Sequence, residues 1–268
     1  MKPLGSPGVF LRFGVECEWA ARAQLTTCPE PDKVYFETHV PQKRNAVDRG
    51  TWDGGAVVQH ETVSDDRSER VLRWAVAELG IAGIADEFGR DLVLDRVPAT
   101  MSPPETAIAG RVVLMRRSRR APAEPVASSS FDTLRAAVRP GAVVLVTMDP
   151  AIGAAFGSNL ALHTACLGAQ ALIADGPARD VSRISRVPLA CGWTGTDARR
   201  PSGAVMQEVA TADLFGRKWA TGDWYVADAD GALRLPSAQG EEIASALLDV
   251  HADQAEFASL VAVPGRAR

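Results

Sequence analysis

The segment GSNLALHTACLGAQALIADGPARD, residues 157–180, contains the pattern that decides the fold. Three residues of its first half recur at helical spacing before Gly168, where a helix would end. They are Leu160, Thr164 and Leu167. Residues 171–174 form a short apolar run that predicts a buried strand, and an Asp-Gly-Pro turn sequence follows. The segment therefore predicts a loop, a short helix, a strand and a tight turn, in that order.

The turn places Arg179 and Asp180 side by side, just past the predicted strand. Arginine offers a planar fork that matches a carboxylate, and aspartate offers oxygen to a hard divalent cation. Backbone amides at the start of a helix near Asn159 would point at an anion bound beside Arg179. Two interpretations of the pair are open from these residues alone. It is either a site for a small anion with a cation, or an ordinary surface ion pair after a turn.

The composition is that of an enzyme-sized domain, with no sign of binding to nucleic acid or to a membrane. The chain has 268 residues, of which 46% are hydrophobic, so it can bury a sizeable core. A net charge of -4 gives no global attraction to nucleic acid or to a membrane surface. The four cysteines lack metal-ligand spacing, and no apolar run approaches membrane-spanning length. We therefore expect a cytoplasmic protein that binds neither membranes nor nucleic acid.

Elsewhere the chain predicts alternating helices and strands. The expected helices are one that uses Val71, Ala75 and Leu79, one near residues 131–138, and a last one with Ile243, Leu247, Val250, Gln254 and Phe257 on one face. The expected strands cover residues 107–115, 142–147, 188–193, 224–227 and 232–235. Residues 115–130 predict a polar loop, and its four arginines favour a solvated segment over a phosphate contact. These arginines are Arg116, Arg117, Arg119 and Arg120.

Six short motifs occur in order between residues 85 and 231, and the resemblance that they carry covers most of the chain, from about residue 71 to residue 260. They are Ala85-Asp86, Ile108-Ala109-Gly110-Arg111, Arg139-Pro140-Gly141, Gly157-Ser158-Asn159-Leu160, Asp175-Gly176 with Arg179-Asp180, and the hairpin sequence of residues 222–231. Together they resemble the RraA-like family, which groups regulators of ribonuclease E activity with divalent-metal 4-hydroxy-4-methyl-2-oxoglutarate aldolases. The resemblance implies an α/β protein of the swivelling β/β/α type, assembled as a trimer or a dimer of trimers.

The first 60-odd residues lie outside this resemblance. Apolar residues alternate with polar ones over residues 9–19, which predicts a strand with one solvent-exposed face. Residues 34–40 and 56–59 predict two further strands. We therefore divide the chain into a β-rich extension, residues 1–63, and an RraA-like domain, residues 64–268.

The resemblance also implies a function and a set of site residues. The function is a divalent-metal-dependent carbon–carbon lyase, an aldolase or decarboxylase, acting on a small oxo-acid related to pyruvate or oxaloacetate. Asp180 would hold Mg²⁺ or Mn²⁺, and Arg179 would hold the substrate carboxylate. The anion cradle would be the amides of Ser158, Asn159 and Leu160. Asp86 would be a catalytic residue that reaches the site from a neighbouring subunit.

Two departures from the family pattern bear on the metal. Ser158 stands where the aldolases carry an acidic residue, about twenty positions before the Arg–Asp pair, and Arg183 stands where the RraA branch carries another, three positions after Asp180. Losing negative charge and gaining a cation nearby weakens affinity for a divalent ion. Two alternatives are therefore open: a non-catalytic RraA-like binding regulator, and a specialised biosynthetic enzyme that reuses the pocket for a larger substrate beneath the extension.

Overall fold

An eight-stranded mixed sheet forms the centre of the computed structural model, which describes residues 67–98, 100–102, 107–119, 129–149, 152–201 and 203–251. The helices in these ranges are α1 (Arg67–Phe88), α2 (Ser130–Ala137), α3 (Ser158–Cys166), α4 (Val181–Ile184) and α5 (Ser237–His251), with a 3-10 turn at Arg90–Leu92. The strands there are β1 (Thr100–Ser102), β2 (Ile108–Arg119), β3 (Val143–Met148), β4 (Ala171–Ala174), β5 (Ala190–Trp193), β6 (Ala204–Glu208), β7 (Thr211–Leu214), β8 (Arg217–Ala220), β9 (Trp224–Ala227) and β10 (Ala232–Leu235).

The middle of the sheet is parallel. Its strands run in the order β1-β5-β4-β3-β2-β9-β10, and β6 also pairs with β2. The pairs β2–β3, β3–β4 and β4–β5 are parallel, with Val113 opposite Val144 and Leu145 opposite Ile173. Strands of this kind are buried on both faces, which explains their continuous apolar sequences. Because β3, α3, β4 and α4 follow one another, the loops before α3 and α4 meet at the carboxyl edge of the sheet.

The two faces of the parallel strands pack on different elements. Val113, Met115, Val144 and Val146 lie in one apolar cluster with Leu134 of α2, Leu160 of α3 and Ile184 of α4. We call this side of the sheet the α3 face. Leu114 and Leu145 point to the other side, where they pack with residues of the separate β7–β8 hairpin. A third cluster joins α1 and α5 to β9 and β10.

The mixed α/β fold expected from the sequence is confirmed, and most elements fall where the patterns predict them. Helix α3 covers the predicted helical segment, and β4, β9 and β10 have the predicted bounds. Gly168 adopts a left-handed φ of 78° just after α3, as a helix-stopping glycine does. Helices α1 and α2 also lie in the expected segments. None of the helices in the described ranges is long and apolar enough to cross a bilayer.

Two predictions were wrong. Residues 116–119 are not part of a solvated loop, because β2 continues to Arg119 and pairs there with β6. Val250 is not on the buried face of α5, since it is 65% exposed. Strands β1, β6, β7 and β8 and the short helix α4 were not predicted. The three strands predicted in the extension, the boundary at residues 63 and 64, Arg120, and the positions Gln254 and Phe257 lie outside the described residues.

Candidate anion-binding site

Two loops at the carboxyl edge are tied together by backbone contacts. Phe156, just before α3, forms a parallel bridge with Ala178, just before α4, and Ala178 bridges Thr196 on its other side. The amide of Arg179 donates to the carbonyl of Phe156 at 3.0 Å. This short ladder fixes Arg179 and Asp180 beside the first residues of α3.

Gly157 is a point of close approach between the two loops. A Cβ atom at this position would lie 2.9 Å from Cγ of Arg179 and 3.0 Å from Oδ2 of Asp180. The backbone of Gly157 is extended, with φ at −146°, so its conformation does not itself demand glycine. The need is for space, because the side chains of Arg179 and Asp180 lie across the residue that precedes α3.

Arg179 and Asp180 are close but not locked together. Nε of Arg179 and Oδ2 of Asp180 are 3.7 Å apart, and the two side chains are 30% and 36% exposed. Asp180 has a left-handed backbone, with φ at 57°, which is uncommon for a non-glycine residue and often marks functional sites. Its carboxylate does not cap α4, whose first amide bonds go to the carbonyl of Asp180. Both side chains are therefore partly accessible from solvent.

The start of α3 has no side-chain cap from the part of the chain that the structure describes. Gly157 occupies the N-cap position and has no side chain to offer, and no acidic residue lies in the first turn. Uncapped amides and the positive end of the helix dipole favour an anion at this position. Ser158 is 1% exposed, Asn159 is exposed and Leu160 packs into the core of the α3 face. Ser158 and Leu160 are therefore expected to contribute through their backbone amides, whereas Asn159 also has an exposed side-chain amide.

Asp86 is placed apart from this pair in the fold. It lies on α1, which packs with α5, β9 and β10, and its carboxylate pairs with Arg90 at 3.1 Å. Asp86 is 67% exposed. Its predicted contribution to a neighbouring subunit's site stays a prediction.

Sequence reasoning missed one residue near the site, Arg117. It is only 7% exposed, and its Nε has no hydrogen-bond partner among the residues that the structure describes. Burial, with a smaller contribution from the charge of Arg179, lowers the pKa of Arg117 to about 10, so the group is still protonated at neutral pH. The sequence shows no alternation at this point, because residues 112–115 are all apolar and residues 116–120 are all polar. Only the extension of β2 to Arg119 puts Arg117 on the same face as Val113 and Met115.

The donors at this site suit an anion better than a divalent cation. Asp180 supplies a carboxylate, but the described ranges contain no group of three or more His, Cys, Asp or Glu side chains that could hold a metal. Ser158 and Arg183 replace the acidic residues expected from the family, and Arg117 and Arg179 add positive charge. Mg²⁺ binds through one or two carboxylates together with water and substrate oxygens, so Asp180 would hold it, but the neighbouring positive charges and the missing acidic residues would weaken the affinity.

Comparison with known proteins places the chain in a family. The family model RraA-like, described as Aldolase/RraA, matches residues 81–234. This match spans more than half of the sequence, and the chain therefore belongs to the RraA-like family, as its motifs predicted. No protein of curated function matches the sequence.

Solved structures agree on the fold. Streptomyces coelicolor RraAS2, described as an unusual member of the RNase ES inhibitor RraA protein family, has a TM-score of 0.56 at 23% identity, covering 73% of this chain and 98% of that one. An uncharacterized protein from Pseudomonas syringae pv. tomato has a TM-score of 0.50 at 17% identity, covering 68% and 86% of the two chains. At these identities the likeness concerns the fold, and the predicted RraA-like architecture is confirmed.

Proposed function

We propose that this protein is a carbon–carbon lyase, an aldolase or decarboxylase, acting on a small oxo-acid related to pyruvate or oxaloacetate. One observation carries the proposal. Arg179 and Asp180 lie partly exposed over Gly157, at the uncapped start of α3. This arrangement joins a carboxylate-binding fork, a row of backbone amides and an acid–base group at one edge of the sheet.

The chemistry of the reaction uses these groups directly. The guanidinium of Arg179 and the amides of Ser158, Asn159 and Leu160 hold the substrate carboxylate and its keto oxygen. In a retro-aldol cleavage, Asp180 accepts the proton of the substrate hydroxyl, whose carbon becomes a carbonyl as the carbon–carbon bond breaks. The electron pair of that bond forms an enolate, which takes back the proton from Asp180 to give pyruvate. In a decarboxylation the same enolate forms as carbon dioxide leaves. Fixed positive charges beside the enolate oxygen stabilise the transition state.

The metal and the assembly stay predictions from the family. The donor set does not support a requirement for Mg²⁺ or Mn²⁺. Ser158 and Arg183 occupy the two positions where the family is expected to carry acidic residues, so Asp180 lacks their support. A trimer or a hexamer is expected from the family, and the role proposed for Asp86 depends on it.

A second candidate is a protein that binds an oxo-acid without turning it over. The replacement of the family's acidic residue by Ser158, which is 1% exposed, favours this candidate, because a buried hydroxyl adds no negative charge and little basicity to the site. It corresponds to the binding regulators of the family. The specialised biosynthetic enzyme with a larger substrate stays open as a prediction, since the extension lies outside the described residues.

Pyruvate release tests the lyase. The protein is incubated with oxaloacetate and with 4-hydroxy-4-methyl-2-oxoglutarate, each with Mg²⁺, with Mn²⁺ or with EDTA. We expect pyruvate above background from the wild type and a loss of about a hundredfold or more in Arg179→Met, the size seen when an oxyanion-stabilising group is removed. Arg119→Gln, an exposed charge change on β2, should release pyruvate at the wild-type rate. No pyruvate in any condition would refute the lyase, and oxo-acid binding without turnover would support the second candidate.

A further inference from the structure

Arg117 extends from the side of the sheet that carries the site. Successive side chains of a strand point to opposite faces, so Val113, Met115 and Arg117 of β2 share one face. Val113 and Met115 lie in the apolar cluster of the α3 face. The guanidinium of Arg117 is therefore on the side of the sheet where α3 and α4 pack.

Arg117 also lies at the edge of the sheet that carries the site. Its partner in the parallel pair is Met148, the last residue of β3, and the two side chains point the same way. The side chain of Met148 covers Gly176, three residues before Arg179, and would clash with any Cβ there. Phe156 and Ala178, which form the ladder beneath the site, belong to the same apolar cluster. Arg117 therefore lies at the same end of the strands and on the same face of the sheet as the loop that carries Arg179, and the same apolar cluster packs beneath both.

The charge of Arg117 lacks compensation within the described residues. Its Nε has no hydrogen-bond partner there, and no carboxylate of those residues pairs with its guanidinium. Arg179 adds a like charge close enough to lower the pKa of Arg117 further. A buried, unpaired cation beside a second cation is unfavourable in the empty protein. An anion bound between or beside the two groups would compensate both.

We infer that Arg117 is a second fixed cation of the Arg179 site, and that it supplies the positive charge that a divalent metal would otherwise provide. The inference rests on the proposed function, in which this site holds an oxo-acid. It accounts for the departures at Ser158 and Arg183, because a site with its own buried cation does not need acidic residues to retain Mg²⁺ or Mn²⁺. The ligand is a small anion whose carboxylate and adjoining oxygen both bear charge, as in the enolate of an oxo-acid.

Oxalate is the probe for the experiment, because its two adjoining carboxylates mimic the carboxylate and the charged oxygen of such an enolate. Its dissociation constant is measured by calorimetry on the full chain, once with EDTA and once with Mg²⁺. We expect the two values to agree within about twofold and Arg117→Met to weaken binding by about tenfold or more, the loss for one charge-assisted hydrogen bond. Arg119→Gln is the matched control. It removes an exposed charge two residues further along the same strand and should change the affinity for oxalate by less than about twofold.

The outcomes separate this inference from the function on which it rests. Binding that requires Mg²⁺, or an Arg117→Met variant with wild-type affinity, overturns the role of Arg117 and leaves the proposed function standing. Absence of oxalate binding in every condition, or full affinity in Arg179→Met, refutes both. Arg117→Lys guards against a folding defect, because it keeps the charge but loses the fork and should bind oxalate with intermediate affinity. An affinity of Arg117→Lys equal to or below that of Arg117→Met would also contradict the inference.

Discussion

Two guanidinium groups in this molecule have opposite surroundings. Arg234, on β10, donates from Nε and Nη2 to Oδ2 of Asp223, each at 2.9 Å, and lies over the ring of Trp219. Asp223 is 4% exposed and also accepts from the amide of Ala220. Arg117, on β2, is buried, whereas the side chain of Arg234 is 27% exposed, yet Nε of Arg117 has no partner among the described residues.

The difference separates scaffold from site. A buried charge with a full set of partners costs little to keep and fixes the geometry of its surroundings, as Asp223 does for the turn between β8 and β9. A buried charge without partners destabilises the empty protein and is retained where a ligand completes it. Substitutions at the two places should therefore move stability in opposite directions.

The largest effect is expected at the paired group. Asp223→Ala leaves Arg234 and the amide of Ala220 without their acceptor, so the free energy of unfolding should fall by about 3 kcal/mol. Urea denaturation measures this change. The control is Asp95→Ala, which removes an exposed partner of Arg217 and should cost less than about 1 kcal/mol. Equal effects at the two positions would show that the Asp223–Arg234 pair is not part of the stabilising scaffold.

At the unpaired group the sign should reverse. Arg117→Met removes a buried charge and keeps an apolar side chain of similar length, so the free energy of unfolding should rise by about 1 to 3 kcal/mol in the absence of ligand. The same urea titration measures it. A loss of stability would mean that Arg117 has a structural partner and would remove the contrast with Arg234.

Gly157→Ala tests whether the position of Arg179 and Asp180 matters for ligand binding rather than for stability. Its Cβ would displace Arg179 and Asp180, which are partly exposed and can move, so the free energy of unfolding should change by less than about 1 kcal/mol while oxalate binding weakens by about tenfold. Calorimetry and urea denaturation together measure the two quantities. Unchanged affinity would show that the placement of Arg179 over Gly157 does not matter for binding.

The smallest effect is a dependence of stability on pH. His163 on α3 is 6% exposed, and its Nε2 lies 3.2 Å from the carbonyl of Phe131. Burial lowers the pKa of His163 in the folded protein. Below about pH 6.5 the histidine of the unfolded chain is therefore protonated more fully than that of the folded protein, which favours unfolding. The free energy of unfolding should therefore fall as pH drops from 7 towards 5, and His163→Gln should flatten this part of the profile. An identical slope in the variant would assign the pH dependence to other groups.

The sequence predicted the local parts of this site well. The helix after Gly157, the buried strand of residues 171–174 and the placement of Arg179 and Asp180 after a turn all follow from spacing within one segment, and the structure contains them. The contact of Gly157 with Arg179 and Asp180 joins residues about twenty positions apart in a β-α-β unit. It was predictable because the loops that follow neighbouring parallel strands lie at the same edge of the sheet.

Arg117 escaped prediction because its burial depends on distant pairing. Four arginines in a stretch followed by proline and serine have the composition of a solvated loop, and residues 115–130 were interpreted in that way. The partners that turn residues 116–119 into strand are β3 and β6, and β6 lies some ninety residues further along the chain. Composition reports the average environment of a segment, whereas the pleat decides which single arginine is buried.

The account depends on Arg117 and Arg179 serving one anion. Arginine Nε–H resonances report this directly in a proton–nitrogen correlation spectrum recorded while oxalate is added in the presence of EDTA. We predict that the Nε–H signals of Arg117 and Arg179 shift together with the same dissociation constant, while the signal of Arg234 stays in place. A shift of Arg179 alone, or no shift of either signal, would contradict the account.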